Sequence, residues 1–164
     1  ARHHASVHQA LLYLGTQRLK AVAVTAQVFL AGQASARGVD LEAQQRHAAS
    51  VAALAQQFAA DPARAEIVFT AALLHDIGKV VLAIGAPDEM EEARRLCEAT
   101  GALPHEVEQD VLGTTHGDAG AYLLALWGLP LEIVEAARHH HHPERAPTDV
   151  VVAVHAADAL LHAQ

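Results

Sequence analysis

The chain has 164 residues, of which 52% are hydrophobic and only 4% aromatic, and its formal net charge is -8 at pH 7. This length and apolar content are sufficient for one hydrophobic core. The negative charge opposes binding to a phosphate backbone, for which a basic patch would be expected, so we predict no nucleic-acid partner. Cys97 is the only cysteine, which excludes an intrachain disulfide and agrees with a reducing compartment.

The first part of the chain predicts two helices, residues 7–14 and 16–31, with Gly15 between them and a connector at residues 32–40. The apolar stretch at residues 21–32 contains Thr25 and Gln27 and is shorter than the roughly 20 residues needed to cross a bilayer. The first residues also lack the basic, apolar and small-residue regions of a signal peptide. We therefore expect a cytoplasmic protein with no membrane partner.

The rest of the chain is divided by capping residues, glycines and prolines into further predicted helices. Asp40 is placed to cap the first of these, which carries His47 and ends before Asp61. Gly78 is expected to permit a tight backbone in the segment of residues 73–79, at the end of the helix that follows. The remaining helices are predicted at residues 63–75, 80–84, 88–100, 104–112, 117–126, 131–142 and 149–164. The predicted fold class is all-α, a helical bundle in a single domain at residues 1–164, and we expect the chain to be a fragment of a longer protein.

The most informative segment is Leu-Leu-His-Asp-Ile-Gly-Lys at residues 73–79, because it places a histidine, a carboxylate and a lysine at the end of an apolar run. Residues three, four and seven apart share a helix face, and an apolar face points inward. By this spacing His139 aligns with Glu132 and Glu135 and is expected to point outward. The side chains predicted to point inward with apolar neighbours are His47, His75, His116, His140, His141 and Asp158, with Asp76 beside His75.

Each inward histidine has an ordinary alternative interpretation, since one histidine on an apolar face is more often a hydrogen-bonded core residue than a ligand. A buried aspartate is harder to explain in that way, because burying an ionised carboxylate is costly unless it is paired or coordinates a metal. Asp76 and Asp158 together with the histidines would leave a polar centre with no obvious partner except a metal. The combination therefore predicts a metal site.

The order His, His-Asp, His, His-His, Asp resembles the HD superfamily of metal-dependent phosphohydrolases, and further motifs resemble its HDOD branch. Residues 6–19 look like the "AIxxLGxxRL" segment of that branch. Residues 112–130 look like its "LGxxHxxxGxxLxxxWxLP" segment, and residues 140–143 are similar to its "HHxP". The resemblance spans nearly the whole chain and implies an HD-domain-like helical bundle.

The resemblance implies a divalent transition-metal cofactor, dinuclear and of the Fe, Mn, Ni or Zn class. It assigns Asp76 as the bridging, catalytic carboxylate and Lys79 as a catalytic residue that contacts a substrate phosphate, although a solvated charge at a helix end is an equal alternative for Lys79. The implied metal ligands are His47, His75, Asp76, His116, His140, His141 and Asp158.

The chain departs from relatives at several positions. Gln45 and Ala48 stand where the branch usually has Trp and Ser, and Ala43 replaces the glutamate that holds a third metal in some relatives. The "HHExxDGxGYP" signature of the HD-GYP branch is absent, because residues 142–147 read His-Pro-Glu-Arg-Ala-Pro. These absences argue against hydrolysis of cyclic-di-GMP.

Two functional hypotheses remain. In the first, the domain is a bacterial-type signalling output module whose partner is a signalling protein or a receiver domain in the same longer chain. In the second, it is an active metal-dependent phosphohydrolase or phosphodiesterase acting on a nucleotide or another phosphoester ligand.

Overall fold

The computed structural model describes residues 39–162, and within this range the chain is helical with no strand. The all-α prediction is thereby confirmed. The predicted helices at residues 7–14 and 16–31 and the motif at residues 6–19 lie outside the described residues. The helices are α1 Leu41–Ala55, α2 Pro62–Leu74, α3 Ile77–Gly85, α4 Pro87–Thr100, α5 Pro104–Leu112, α6 His116–Leu126, α7 Leu131–His139 and α8 Asp149–His162.

Local capping chemistry sets most of these boundaries. Asp40 accepts a hydrogen bond from the backbone N–H of Ala43 at 2.9 Å, as predicted, and Asp61 caps α2 in the same way. Gly101 and Gly113, with φ of 71° and 70°, end α4 and α5 in the left-handed conformation that glycine adopts without strain.

The structure corrects two predicted details. Gly78 lies inside α3 rather than in a tight turn, and its role is close packing: a Cβ there would lie 1.9 Å from the carbonyl oxygen of His116. Helix α7 ends at His139 rather than residue 142, so His140 to His142 form a turn before a short 3-10 segment at Pro143–Arg145. Both details position the site. The close packing at Gly78 brings α3 against α6, and the early end of α7 places the paired histidines in a turn.

The core lies between α1, α2, α7 and α8, where small alanines alternate with fully buried Val51, Leu74, Ile133 and Val154. The Pro62–Gly85 stretch is, by length and composition, the one candidate membrane span among the described residues. However, 67% of its most apolar window is buried inside the fold, and the chain leaves the helical conformation of α2 at Asp76 before α3 begins. This stretch therefore forms the centre of the bundle.

Candidate metal centre

Helix ends and loops place the predicted site residues around one point in the bundle. His75 and Asp76 occupy the junction between α2 and α3, so two consecutive polar side chains enter the centre. His116 begins α6. The structure also brings in His47 from α1, His140 and His141 from the turn after α7, and Asp158 from α8.

Asp76 lies in the middle of this group and is 5% exposed. Its Oδ1 atom is 3.3 Å from Nε2 of His116 and 3.6 Å from Nε2 of His140. Its Oδ2 atom is 3.5 Å from Nε2 of His75 and 3.9 Å from Nε2 of His47. The two oxygens of one carboxylate therefore face two sets of side chains, which we call the histidine cluster (His116, His140, His141) and the mixed cluster (His47, His75, Asp158).

Hydrogen bonds at Nδ1 orient the buried rings of His75, His116 and His140. His75 and His140 each donate from Nδ1 to a backbone carbonyl of the preceding turn, at 2.6 Å and 2.8 Å, and a carbonyl oxygen can only accept. His116 Nδ1 is 2.6 Å from Oε2 of Glu108. In the neutral tautomer that these bonds favour, the Nε2 atom of each ring is an unprotonated acceptor pointing at the centre.

The acceptor atoms of His116 and His140 consequently face one another in the histidine cluster. Nε2 of His116 lies 3.3 Å from Nε2 of His140 and 3.0 Å from Nε2 of His141. Burial lowers the pKa of His140 to about 4 and that of His141 to about 2, so both rings are neutral at pH 7. The facing lone pairs of His116 and His140 repel unless a cation lies between them. Asp76 Oδ1, also buried, has no hydrogen-bond partner among the described residues.

The histidine cluster has the dimensions of a transition-metal site. Two imidazole nitrogens bound at right angles to one ion, each at about 2.1 Å, would be about 3.0 Å apart. The observed nitrogen separations are close to this value. Imidazole with one carboxylate is a donor set suited to zinc, iron, nickel and manganese rather than calcium. The residues present therefore fit the divalent transition metal that the sequence predicted.

The mixed cluster differs in that its carboxylate, Asp158, is already engaged, although His75 Nε2 is buried with no hydrogen-bond partner among the described residues. His47 Nε2 lies 2.9 Å from Asp158 Oδ1, and His75 Nε2 lies 3.6 Å from the same oxygen. Burial acts to raise the pKa of Asp158, but the hydrogen bond with His47 and the nearby His75 ring outweigh burial and hold this pKa well below its usual range. His162 adds a further contact, with Nδ1 at 3.2 Å from Asp158 Oδ1.

Lys79 pairs with the central carboxylate, and its Nζ lies 2.5 Å from Asp76 Oδ2. Burial acts to lower the pKa of Lys79, but the adjacent Asp76 carboxylate outweighs it and raises this pKa above its usual value. The side chain is 16% exposed, so the alternative of a solvated charge at a helix end does not describe it. Its predicted contact with a substrate phosphate stays a prediction.

The sequence reasoning missed Glu108, which is 2% exposed and accepts hydrogen bonds from both the backbone N–H and Nδ1 of His116, at 2.7 Å and 2.6 Å. Metal-ligating histidines characteristically donate their second nitrogen to such a carboxylate. The helical spacing could have indicated that Glu108 points inward. It lies four residues after Pro104 and three before Val111, on an otherwise apolar helix face. His105, also missed, stacks on His141 with ring centroids 4.2 Å apart.

Two cavities open beside the centre. The larger, of about 580 Å³, is lined by His141, Arg138 and Arg145 together with residues at the start of α6. The smaller, of about 260 Å³, is lined by Lys79, Glu108 and apolar residues of α4. His139 lines the larger cavity but joins neither cluster.

Comparison with known proteins relates this architecture to one family. A model of the HDOD domain matches residues 1–143. An HDOD domain protein of unknown function from Geobacter sulfurreducens superimposes with a TM-score of 0.78 and 25% identity, covering 98% of this chain and 55% of that chain. A structure from Shewanella amazonensis SB2B, described as "Putative phosphohydrolase", has a TM-score of 0.76 at 24% identity over 94% of this chain and 58% of that chain, a likeness that shows the fold.

Sequence similarity extends to a ribonuclease Y of Thermus thermophilus, which is 34% identical over 116 residues. That alignment covers 70% of this chain but 16% of the ribonuclease. The chain thus spans about a sixth of that relative and little more than half of each solved structure. The HDOD match ends before Asp158, so the place of Asp158 in the site rests on the fold.

Proposed function

Because this chain belongs to the HDOD domain family, we propose that it is a signalling output domain built around a divalent transition-metal centre. The observation that carries the proposal is the buried histidine cluster, where imidazole nitrogens face one another and Asp76 Oδ1 lacks a hydrogen-bond partner among the described residues. In the proposed centre Asp76 would be shared between two ions. His116, His140 and His141 would hold an ion on one side, and His47, His75 and Asp158 would hold one on the other.

A bound divalent ion of this class acts as a Lewis acid and acidifies a coordinated water. The protein groups prepare the site without the ion. Glu108 fixes the His116 ring, and backbone carbonyls fix His75 and His140, so that Nε2 of each ring faces the centre. The apolar core around Leu74 and Ala137 limits water access to the buried side of the site.

The output role is supported by the segment that comes after the paired histidines. A short 3-10 segment at Pro143–Arg145 stands where the HD-GYP branch carries its substrate-loop signature. The chain therefore lacks that means of binding a cyclic dinucleotide. We propose that the domain passes a signal to a partner protein, or receives one from a receiver domain in the same longer chain, in the cytoplasm.

A second candidate function is metal-dependent hydrolysis of a phosphoester, and the larger cavity favours it. This cavity of about 580 Å³ reaches His141 of the histidine cluster, and Arg138 and Arg145 on its wall provide cations for a phosphate group. Lys79, the predicted phosphate contact, lies on the other side of Asp76 and lines the smaller cavity. Two of the similar proteins, the ribonuclease and the one described as "Putative phosphohydrolase", have names that refer to hydrolysis of phosphoesters.

The deciding experiment begins with elemental analysis of untagged protein purified under conditions that keep ferrous iron reduced. We expect bound transition metal in the wild type and a loss of metal in His116→Ala. The metal-loaded protein is then offered mononucleotides, cyclic nucleotides and generic phosphodiesters. Absence of metal from the wild type would refute the proposed centre, whereas metal-dependent turnover abolished by Asp76→Ala would replace the output role with the enzymatic one.

A further inference from the structure

His141 is the member of the histidine cluster whose Nδ1 atom makes no hydrogen bond among the described residues. His116 and His140 are fully buried. Their Nδ1 atoms bond to Glu108 and to the carbonyl of Ala137, respectively. His141 is only partly buried and lines the cavity of about 580 Å³. Because a ring beside such a cavity has space to rotate, another contact is needed to keep its Nε2 atom facing the centre.

His105 supplies that contact from the first turn of α5. Its ring lies nearly parallel to the ring of His141, with centroids 4.2 Å apart and 16° between the planes. The imidazole of His105 makes no hydrogen bond among the described residues, and its buried Nδ1 atom is without a partner. His105 also belongs to neither metal-ligand cluster. The part of His105 that the fold uses is therefore the face of its ring.

Helix α5 holds two rings of the histidine cluster from one face. His105 and Glu108 are three residues apart and share that face, and Glu108 fixes the ring of His116. The burial of Val107 and Glu108 anchors the helix in the fold. The ring of His142 lies nearly perpendicular to that of His105, with centroids 5.4 Å apart. The His105 ring is thus itself supported where it meets His141.

We propose that His105 is a positioning residue for His141, and the inference rests on the metal centre proposed above. Stacking on His105 keeps the His141 ring in place, with its Nε2 atom 3.0 Å from that of His116, before an ion binds. An incoming ion then does not have to immobilise this ring. The strength of an aromatic pair and the cost of ordering one side chain each correspond to about twofold to tenfold in affinity. In this role His105 touches neither the ion nor a substrate.

The test is a titration of the metal-free full chain with Co²⁺ in competition with a chelating indicator. His141→Ala identifies the binding step that depends on His141, because that step is lost. His105→Leu and His105→Ala should weaken the same step by about twofold to tenfold, since neither side chain has a flat ring. His105→Phe keeps a flat ring and should bind Co²⁺ as the wild type does. Gln109→Ala, an exposed neutral position of α5 that lines the same cavity, is the matched control and should also be unchanged.

A second measurement needs no metal. A stacked ring shifts the carbon-bound protons of its partner upfield, so NMR of the metal-free protein should show this shift for His141 in the wild type and in His105→Phe. The shift should be lost in His105→Leu. Circular dichroism confirms that each variant is folded, and His105→Ala replaces His105→Leu if the latter unfolds.

The outcomes separate the positioning role from the metal centre itself. Wild-type Co²⁺ affinity in folded His105→Leu, or equal losses in His105→Leu and His105→Phe, would overturn the positioning role and leave the metal centre in place. Retention of every binding step in His141→Ala would have the same consequence. Failure of the wild type to bind any Co²⁺ would overturn both proposals.

Discussion

Replacing Glu108 by glutamine tests whether this residue positions His116 for metal binding. The substitution keeps the size of the side chain and one acceptor oxygen but removes the negative charge next to His116 Nδ1. The wild-type carboxylate accepts two hydrogen bonds from His116, at 2.7 Å and 2.6 Å, at a site that is 2% exposed. Charge-assisted bonds of this kind are about twice as strong as neutral ones.

The expected loss can be estimated from these contacts. Mutating a carboxylate that orients a metal-bound histidine typically costs about 10–100-fold in metal affinity. Since glutamine retains an acceptor, we expect Glu108→Gln to lie near the lower value, about tenfold, with a small loss of stability. Glu108→Ala removes both bonds and leaves the backbone N–H and the Nδ1–H of His116 unpaired, so we expect it to destabilise the metal-free fold by about 3 kcal/mol or more.

The assay is calorimetric titration of metal-free protein with Zn²⁺, combined with ¹⁵N NMR of the histidine rings to identify the protonated nitrogen of His116. Glu92→Gln, an exposed change on α4, controls for the altered net charge. The positioning role would be refuted if Glu108→Gln bound Zn²⁺ with wild-type affinity while His116 kept its Nδ1–H tautomer.

Three further predictions address other parts of the site. Asp76→Ala should lose at least one metal ion, because a bridging carboxylate offsets charge on both ions; unchanged metal content by elemental analysis would reject the bridging role. Gly78→Ala should destabilise the fold by about 3 kcal/mol in chemical denaturation, since its Cβ would meet the His116 carbonyl oxygen at 1.9 Å. Gly85→Ala is the matched control with no atom within 4 Å of the added Cβ, and equal stabilities of the two variants would contradict the packing role. Removing metal with a chelator should lower the melting temperature, since an ion present at 100 times its Kd stabilises the fold by about 2.7 kcal/mol; an unchanged melting temperature would contradict metal binding to the native state.

Much of this architecture could be predicted from local sequence signals. Asp40 begins a helix and Gly101 ends one at the predicted places, and the predicted helix at residues 104–112 agrees with α5. Capping and left-handed glycine conformations depend on a few neighbouring residues, so they are readable without tertiary contacts. The end of α7 was missed because the histidines after His139 continue an inward helical spacing that the chain does not follow.

The sequence by itself determined the helical class, the placing of the candidate ligands on inward helix faces, and the resemblance to one family. Periodicity and motif spacing are properties of the chain alone. Only the tertiary structure decided how these side chains are used. Glu108 selects the acceptor nitrogen of His116 from another helix, and His47 meets Asp158 across a separation of 111 residues. The same packing places Lys79 on one oxygen of Asp76 and leaves the other without a hydrogen-bond partner among the described residues. Hydrogen-bond direction and charge pairing depend on distances between elements, and no local pattern contains those distances.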